Sequence, residues 1–180
     1  MDADTQPATP DALGSSGRLL QGPGFPGDTG AADPALAAGL ASYAADRTAL
    51  PEVLAALAGA RLLVPVVAVL GEVEVGDDGL ARDKTSDMAS VLLRGADGRT
   101  ALLAFSSLET LAAWDADARP VPVTAAAAAL AAAQEGAAAL LLDLAGPVTC
   151  VVEGEDLEGV AGGWRLTRVG GRTAWLRPED

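Results

Sequence analysis

The chain of 180 residues carries 25 acidic against 12 basic side chains, a net charge of −13, with no histidine, one cysteine and a single lysine, Lys84. Its length fits one domain of ordinary size with a tail. Without an imidazole, Ser-His-Asp and Cys-His nucleophilic mechanisms are excluded; one cysteine cannot close an internal disulfide; and the negative charge opposes nucleic-acid and anionic-lipid binding wherever no basic patch intervenes.

The opening MDADTQPATPDALGSS is polar and acidic, without the basic and apolar regions of a signal peptide, so a cytoplasmic protein is expected. Residues 1–30 are rich in Gly, Pro, Asp, Ser and Thr, and their few large apolar groups bury too little to offset ordering. A flexible tail is expected there, with Phe25 as a possible anchor. Asp33 followed by Pro34 is a helix-start signal, and Leu36, Leu40, Tyr43 and Ala44 continue at helical spacing. A second helix is expected from Pro51, with Val53, Leu54, Leu57 and Ala58 on one stripe, ending at Gly59. RLLVPVVAVL reads as a strand, and Pro65, lacking an amide proton, predicts an edge position or a bulge.

An acidic connection over residues 71–87 follows. The apolar runs 88–93 and 101–105 are joined by GADGR, whose Asp97-Gly98 pair predicts an antiparallel hairpin. Ser106 with Glu109 has capping-box spacing for a short helix burying Leu108, Leu111 and Ala112 and stopping near Trp114. A strand at 120–123, a cap at Thr124, an almost pure alanine helix over 125–135 and a stop at Gly136 come next. The alanine-rich stretch 120–142 contains two prolines and Glu135 and falls short of a membrane span. LLLDLAGPVTCVV gives two strands broken at residues 145–147, and WRLTRVGGRTAWL a hairpin turning at Gly170-Gly171. The order of elements predicts an α+β fold: a single domain with a mixed β-sheet covered by helices at 31–160, preceded by the tail and followed by a C-terminal β-hairpin extension at 161–180.

The stretch SDMASVLLRGADGRTALLAFSSLETLAAWDADARPVPV, with LLLDLAGPV after it, resembles the N-terminal domain of the SseB family, the enhanced serine sensitivity proteins of bacteria, in its high-GC Gram-positive form. Phe105, Ser106 and Ser107 match a Phe-Thr-Ser-like step from strand to helix, with the threonine replaced. Asp143, Gly146 and Pro147 match an Asp-x-x-Gly-Pro turn, Val64 and Pro65 a Val-Pro element, and Trp114 closes the helix after the serines. The resemblance covers roughly residues 34–152 and implies an α+β fold and a bacterial protein; it brings no established activity, cofactor or catalytic residues with it.

The residues able to carry chemistry are few. Cys150 sits in the apolar run PVTCVV and is expected to be a buried structural thiol. Lys84-Thr85 resembles the end of a phosphate loop, but Asp83 stands where that loop needs glycine. Glu72, Glu74, Asp77, Asp78, Asp83 and Asp87 match no calcium loop and are expected to stay solvated; Glu153, Glu155, Asp156 and Glu158 suit the start of a short helix. No catalytic, cofactor or metal set emerges. The basic residues concentrate in the terminal hairpin, where Arg165, Arg168, Arg172 and Arg177 lie beside Trp164 and Trp175 within an acid-free stretch, 161–178. With a two-residue loop, Trp164, Arg168, Trp175 and Arg177 share a face, an arrangement able to bind a protein anchor, a phosphate or a stacked base, although the favoured reading of these residues has the arginines pairing with the acidic body and the tryptophans covering an open sheet edge. The expectation is a non-enzymatic module that binds another protein through the hairpin or an exposed sheet edge, as a monomer or weak homodimer, without nucleic acid or membrane. The alternatives are a sensor of metal ions or small molecules built on the 71–87 loop and, less favoured, an enzyme using carboxylates alone.

Overall fold

The computed structural model describes residues 25–69, 74–75, 81–82 and 87–178. Asp33 accepts hydrogen bonds from the amides of Ala35 (2.9 Å) and Leu36 (3.1 Å), and proline follows it, so helix α1 begins there and spans Pro34–Ala45. A 3-10 turn, Arg47–Ala49, capped by Asp46, leads into α2 (Leu50–Leu57), which packs on α1. Gly39 allows the close approach: a Cβ there would lie 3.2 Å from the backbone of Glu52 and Val53.

Strand β1 (Arg61–Val69) pairs antiparallel on one side with β7 (Arg119–Thr124), from Arg61 opposite Thr124 to Val66 opposite Arg119. On its other side, its outer half pairs with β4 (Asp87–Ser90). Two-residue strands β2 (Glu74–Val75) and β3 (Ala81–Arg82) form a separate antiparallel pair between them in sequence. β5 (Leu92–Arg94) continues from β4 and turns through Gly98, at a φ of 83°, into β6 (Thr100–Ala104). β6 runs parallel to β8 (Ala139–Leu142), the connection passing through α3 (Leu108–Trp114), β7 and α4 (Ala125–Gln134). β9 (Cys150–Glu153) closes the sheet antiparallel to β8, and α5 (Gly154–Ala161) leads to the terminal hairpin of β10 (Arg165–Val169) and β11 (Arg172–Leu176). The α+β class expected from the element order is the observed one.

Two hydrogen-bonded groups, β4-β1-β7 and β5-β6-β8-β9, join where Leu63 and Phe105 exchange a pair of 2.8 Å backbone hydrogen bonds. Beyond that bridge β1 and β6 separate, and the chain at Val91 fills the gap, its N–H donating to Pro65 O and its carbonyl accepting from Leu103 N. Pro65 is therefore not on an edge strand. Because Leu63 directs its N–H towards β6, Pro65, two residues on, directs its missing donor the same way, where β1 leaves one partner for the next. An edge strand is its neighbour β7, in which Pro120 and Pro122 oppose Pro65 and Leu63. Both prolines thus face outward along the side with no neighbouring strand among the described residues, and they remove two donors from that edge.

Alternation divides the core. Leu62, Val64, Leu102, Ala104, Leu140, Leu142, Cys150 and Val152 face α1, α2, α4 and α5, and are buried. Ala125, Ala128, Ala129 and Ala132 form the buried stripe of α4, so that helix lies close on the sheet. On the opposite side Leu63, Leu103 and Phe105 form a smaller cluster with Leu111 of α3, and Phe105 stacks on Trp114 with ring centroids 5.5 Å apart. The α3 cap lies one residue later than Ser106-Glu109 predicts. Ser107 is the cap and Thr110 its reciprocal partner; Leu111 is buried, whereas Leu108 and Ala112 are exposed.

Candidate functional site

The two parallel strands end side by side, the position at which open α/β sheets commonly hold their ligands. There β6 continues into Phe105, Ser106 and Ser107, and β8 into Asp143. Asp143 is 2 % exposed and adopts a left-handed φ of 53°, the one non-glycine residue to do so among those described. That conformation aims its carboxylate across the sheet. It accepts from Ser106 N (2.8 Å, Oδ1) and from Ser106 Oγ (2.7 Å, Oδ2), binding the ends of the two strands together. Its carbonyl accepts from Gly146 N (2.9 Å), closing a tight turn in which a Cβ at Gly146 would lie 3.0 Å from Asp143 Cβ and 3.2 Å from Thr110 Cγ2. Thr149 Oγ1 donates to the carbonyls of Asp143 and Leu144.

A groove of about 220 Å³ adjoins this corner, walled by Ala37, Leu40, Ala41 and Ala44 of α1 and by Pro147 and Val148. Its hydroxyl and carboxyl groups are bonded to one another: Ser106 to Asp143, and Ser107 to Thr110 within the cap. Asp143 is the sole carboxylate among its lining residues, so the facing acid pair that carboxylate catalysis needs is not assembled there. Arg61, which the sequence did not single out, braces the same corner from β1. Its guanidinium donates to Ser106 O (3.1 Å), to Asp28 Oδ1 (2.9 Å) and to Ala31 O. Residues 25–30, counted above with the tail, thereby lie against the domain, with Gly30 buried and accepting from Leu108 N. Phe25 is half-buried; residues 1–24 lie outside the described residues.

The hairpin register pairs Leu166 with Trp175, Arg168 with Thr173, Arg165 with Leu176 and Val169 with Arg172. Directly opposed residues share a face, so Trp164, Arg168, Trp175 and Arg177 fall on one side with Leu166, and Arg165 and Arg172 on the other. Gly170 and Gly171, with φ of 58° and 79°, make the turn with the left-handed pair that suits a two-residue loop. The tryptophan face is turned inward. Trp175 lies over Gly159 of α5, where an added Cβ would come within 2.3 Å of the indole, and its Nε1 donates to Asp156 (2.8 Å). Leu166 and Trp175 pack on the main core, and the Arg177 guanidinium stacks 4.4 Å above the half-buried Trp164. The outer face presents Arg165 and Arg172 with Val169 (62 % exposed) and Leu176 (44 %), two apolar residues that the sequence reading passed over. Their alternation with Arg165 and Arg172 was visible; which face would be outward was not.

The family model of the SseB protein N-terminal domain matches residues 36–159. The chain belongs to the SseB family. No curated protein and no solved structure matches it. The SseB span contains Arg61, Ser106, Ser107, Asp143 and Gly146 of the strand-end corner, with Asp28 and Ala31 before it, and stops at Gly159, the residue on which Trp175 rests, so the hairpin lies beyond it. Within the span the matched motif has a structural meaning. Val64 is buried among the helices, Pro65 marks the parting of β1 from β6, Phe105 and Trp114 form the smaller core, and Ser106, Ser107, Asp143, Gly146 and Pro147 meet at the corner.

Cys150 is fully buried, and burial pushes its thiol up to about 11. Lys84, Glu72, Asp77, Asp78 and Asp83 lie outside the described residues, while Glu74 and Asp87 contribute backbone to β2 and β4. Among the described residues no cluster of three or more His, Cys, Asp or Glu could hold a metal ion, and no helix is long and apolar enough to cross a membrane.

Proposed function

We propose that this SseB-family chain is a non-enzymatic protein-interaction module of the bacterial cytoplasm whose binding surface is the outer face of the β10–β11 hairpin. The observation that carries this reading is the pairing of exposed Val169 and Leu176 with exposed Arg165 and Arg172 on a hairpin anchored from behind by Trp175. Among the described residues no carboxylate lies within ion-pair distance of those two arginines. Aromatic and apolar anchoring beneath, with arginine and aliphatic groups outside, is the composition of a small interface. At the strand-end corner, by contrast, the hydroxyl and carboxylate groups already satisfy one another, and the sequence supplies no imidazole to activate Ser106. The lack of a cysteine pair fits a reducing compartment.

The test places a photo-crosslinking residue at Val169 or, as a control, at exposed Glu135 in the full chain expressed in its host. A protein captured from Val169 alone, which then binds the purified chain and is released by Arg165→Glu/Arg172→Glu, supports the reading. Capture that is equal at both positions, or insensitive to the double substitution, overturns it.

A further inference from the structure

Resting on that reading, we infer that the partner presents an extended acidic segment whose carboxylates lie four residues apart. Arg172 stands directly opposite Val169, four residues from Arg165 along β10. At roughly 3.3 Å per residue the two guanidinium stems are therefore about 13 Å apart. An extended polypeptide lying along β10 presents same-side residues at every second position, so acids at i and i+4 reach both arginines and an apolar residue at i+2 falls over the half-buried Thr167 and Ala174, between Leu176 and Val169. Spacing of three would put the two acids on opposite sides of the partner chain. Charge favours such a segment: Arg165 and Arg172 are the charged groups of the outer face, within a stretch, 161–178, that contains no acid. The net charge opposes any long polyanion over the rest of the surface, nucleic acid and anionic membrane included, so the acidic stretch is a short one confined to the hairpin. Val169 and Leu176, 62 % and 44 % exposed, call for aliphatic contact that phosphates do not supply.

The probe is a fluorescein-labelled peptide, Thr-Glu-Thr-Val-Thr-Glu-Thr, titrated into the 15N-labelled full chain. Its comparators are the same peptide with both Glu replaced by Gln, one with Glu spaced by three, a single-stranded oligonucleotide and phosphatidylglycerol vesicles. Two exposed ion pairs are expected to make the i, i+4 Glu peptide bind about tenfold more tightly than the Gln peptide. Amide shifts should be confined to 165–176. The preference should vanish in Arg165→Gln/Arg172→Gln and persist in Arg168→Gln, whose side chain lies on the other face. Equal binding of the Glu and Gln peptides, absence of binding by both, indifference to spacing, tighter binding of oligonucleotide or vesicle, or hairpin-dependent self-association each overturns the inference. A purified partner cross-linked through Val169 whose contact segment lacks acids would overturn the acidic class and leave the interaction reading standing; absence of any Val169-specific partner would remove that reading whatever the peptides do.

Discussion

The strand-end corner and the terminal hairpin both bring charged side chains to the rim of the domain, and they use them in opposite ways. At the corner, Asp143 is buried and both its carboxylate oxygens are bonded to Ser106; the guanidinium of Arg61 likewise reaches three acceptors. On the outer face of the hairpin, Arg165 and Arg172 stand in solvent beside exposed aliphatic groups. A buried charge is stable only when its hydrogen bonds are complete, so the corner's polar groups hold the fold, whereas solvated charges cost the fold little and remain available to a partner. The SseB-matched span contains Arg61, Ser106 and Asp143 of the first region and stops short of the second.

The contrast predicts a graded series of effects. Asp143→Ala strands the buried Ser106 donors and puts, at a φ of 53°, a residue that tolerates the left-handed region less well than aspartate; it should lower the unfolding free energy by about 3 kcal/mol in urea denaturation. Asp143→Asn keeps an acceptor and tolerates the left-handed backbone, and should lose about half as much. A loss below about 1 kcal/mol for alanine would show that the corner is not a structural tie. Gly159→Ala tests the joint between the two regions. Its methyl displaces an indole fixed by Asp156, so a loss of about 2 kcal/mol and an altered Trp175 near-ultraviolet signal are expected.

Cys150 gives a pH-dependent measure of the interior. Burial raises its folded-state thiol from 9.0 to about 11, so the stability contributed by the neutral thiol is complete below pH 9.0 and is lost as pH rises towards about 11. Cys150→Ala should flatten that alkaline limb of the stability profile, and the wild-type thiol should react with a disulfide reagent at pH 8 only on unfolding. The smallest stability effect belongs to Arg165→Glu/Arg172→Glu, which should stay within about 0.5 kcal/mol of wild type while abolishing Val169 cross-linking. A large loss would mean that the outer face holds the fold, as the corner does.

Much of the fold was legible because its signals are local. Asp33-Pro34, Asp97-Gly98, Thr124 and Gly170-Gly171 each act through their own backbone within a few residues, and each lies at the boundary or turn it predicts. The α3 cap was not settled locally. Ser106-Glu109 has the local capping pattern, but Asp143, thirty-seven positions away in sequence, engages Ser106, and Ser107 caps the helix with Thr110 as its partner. Pro65 excluded one hydrogen bond without revealing that β1 changes partners at that point.

The sequence by itself determined what this protein lacks and where its chain turns: no histidine, an acid-free arginine hairpin, and a run of caps and glycines that set the order of elements. The tertiary structure alone decided that the serine and carboxylate would satisfy each other, that Arg61 would brace them, and that Trp175 would face inward while Val169 and Leu176 face out. Strand alternation assigns side chains to two faces but leaves both equivalent until one is buried. That asymmetry came from α5, whose glycine admits the Trp175 ring and whose aspartate receives its N–H.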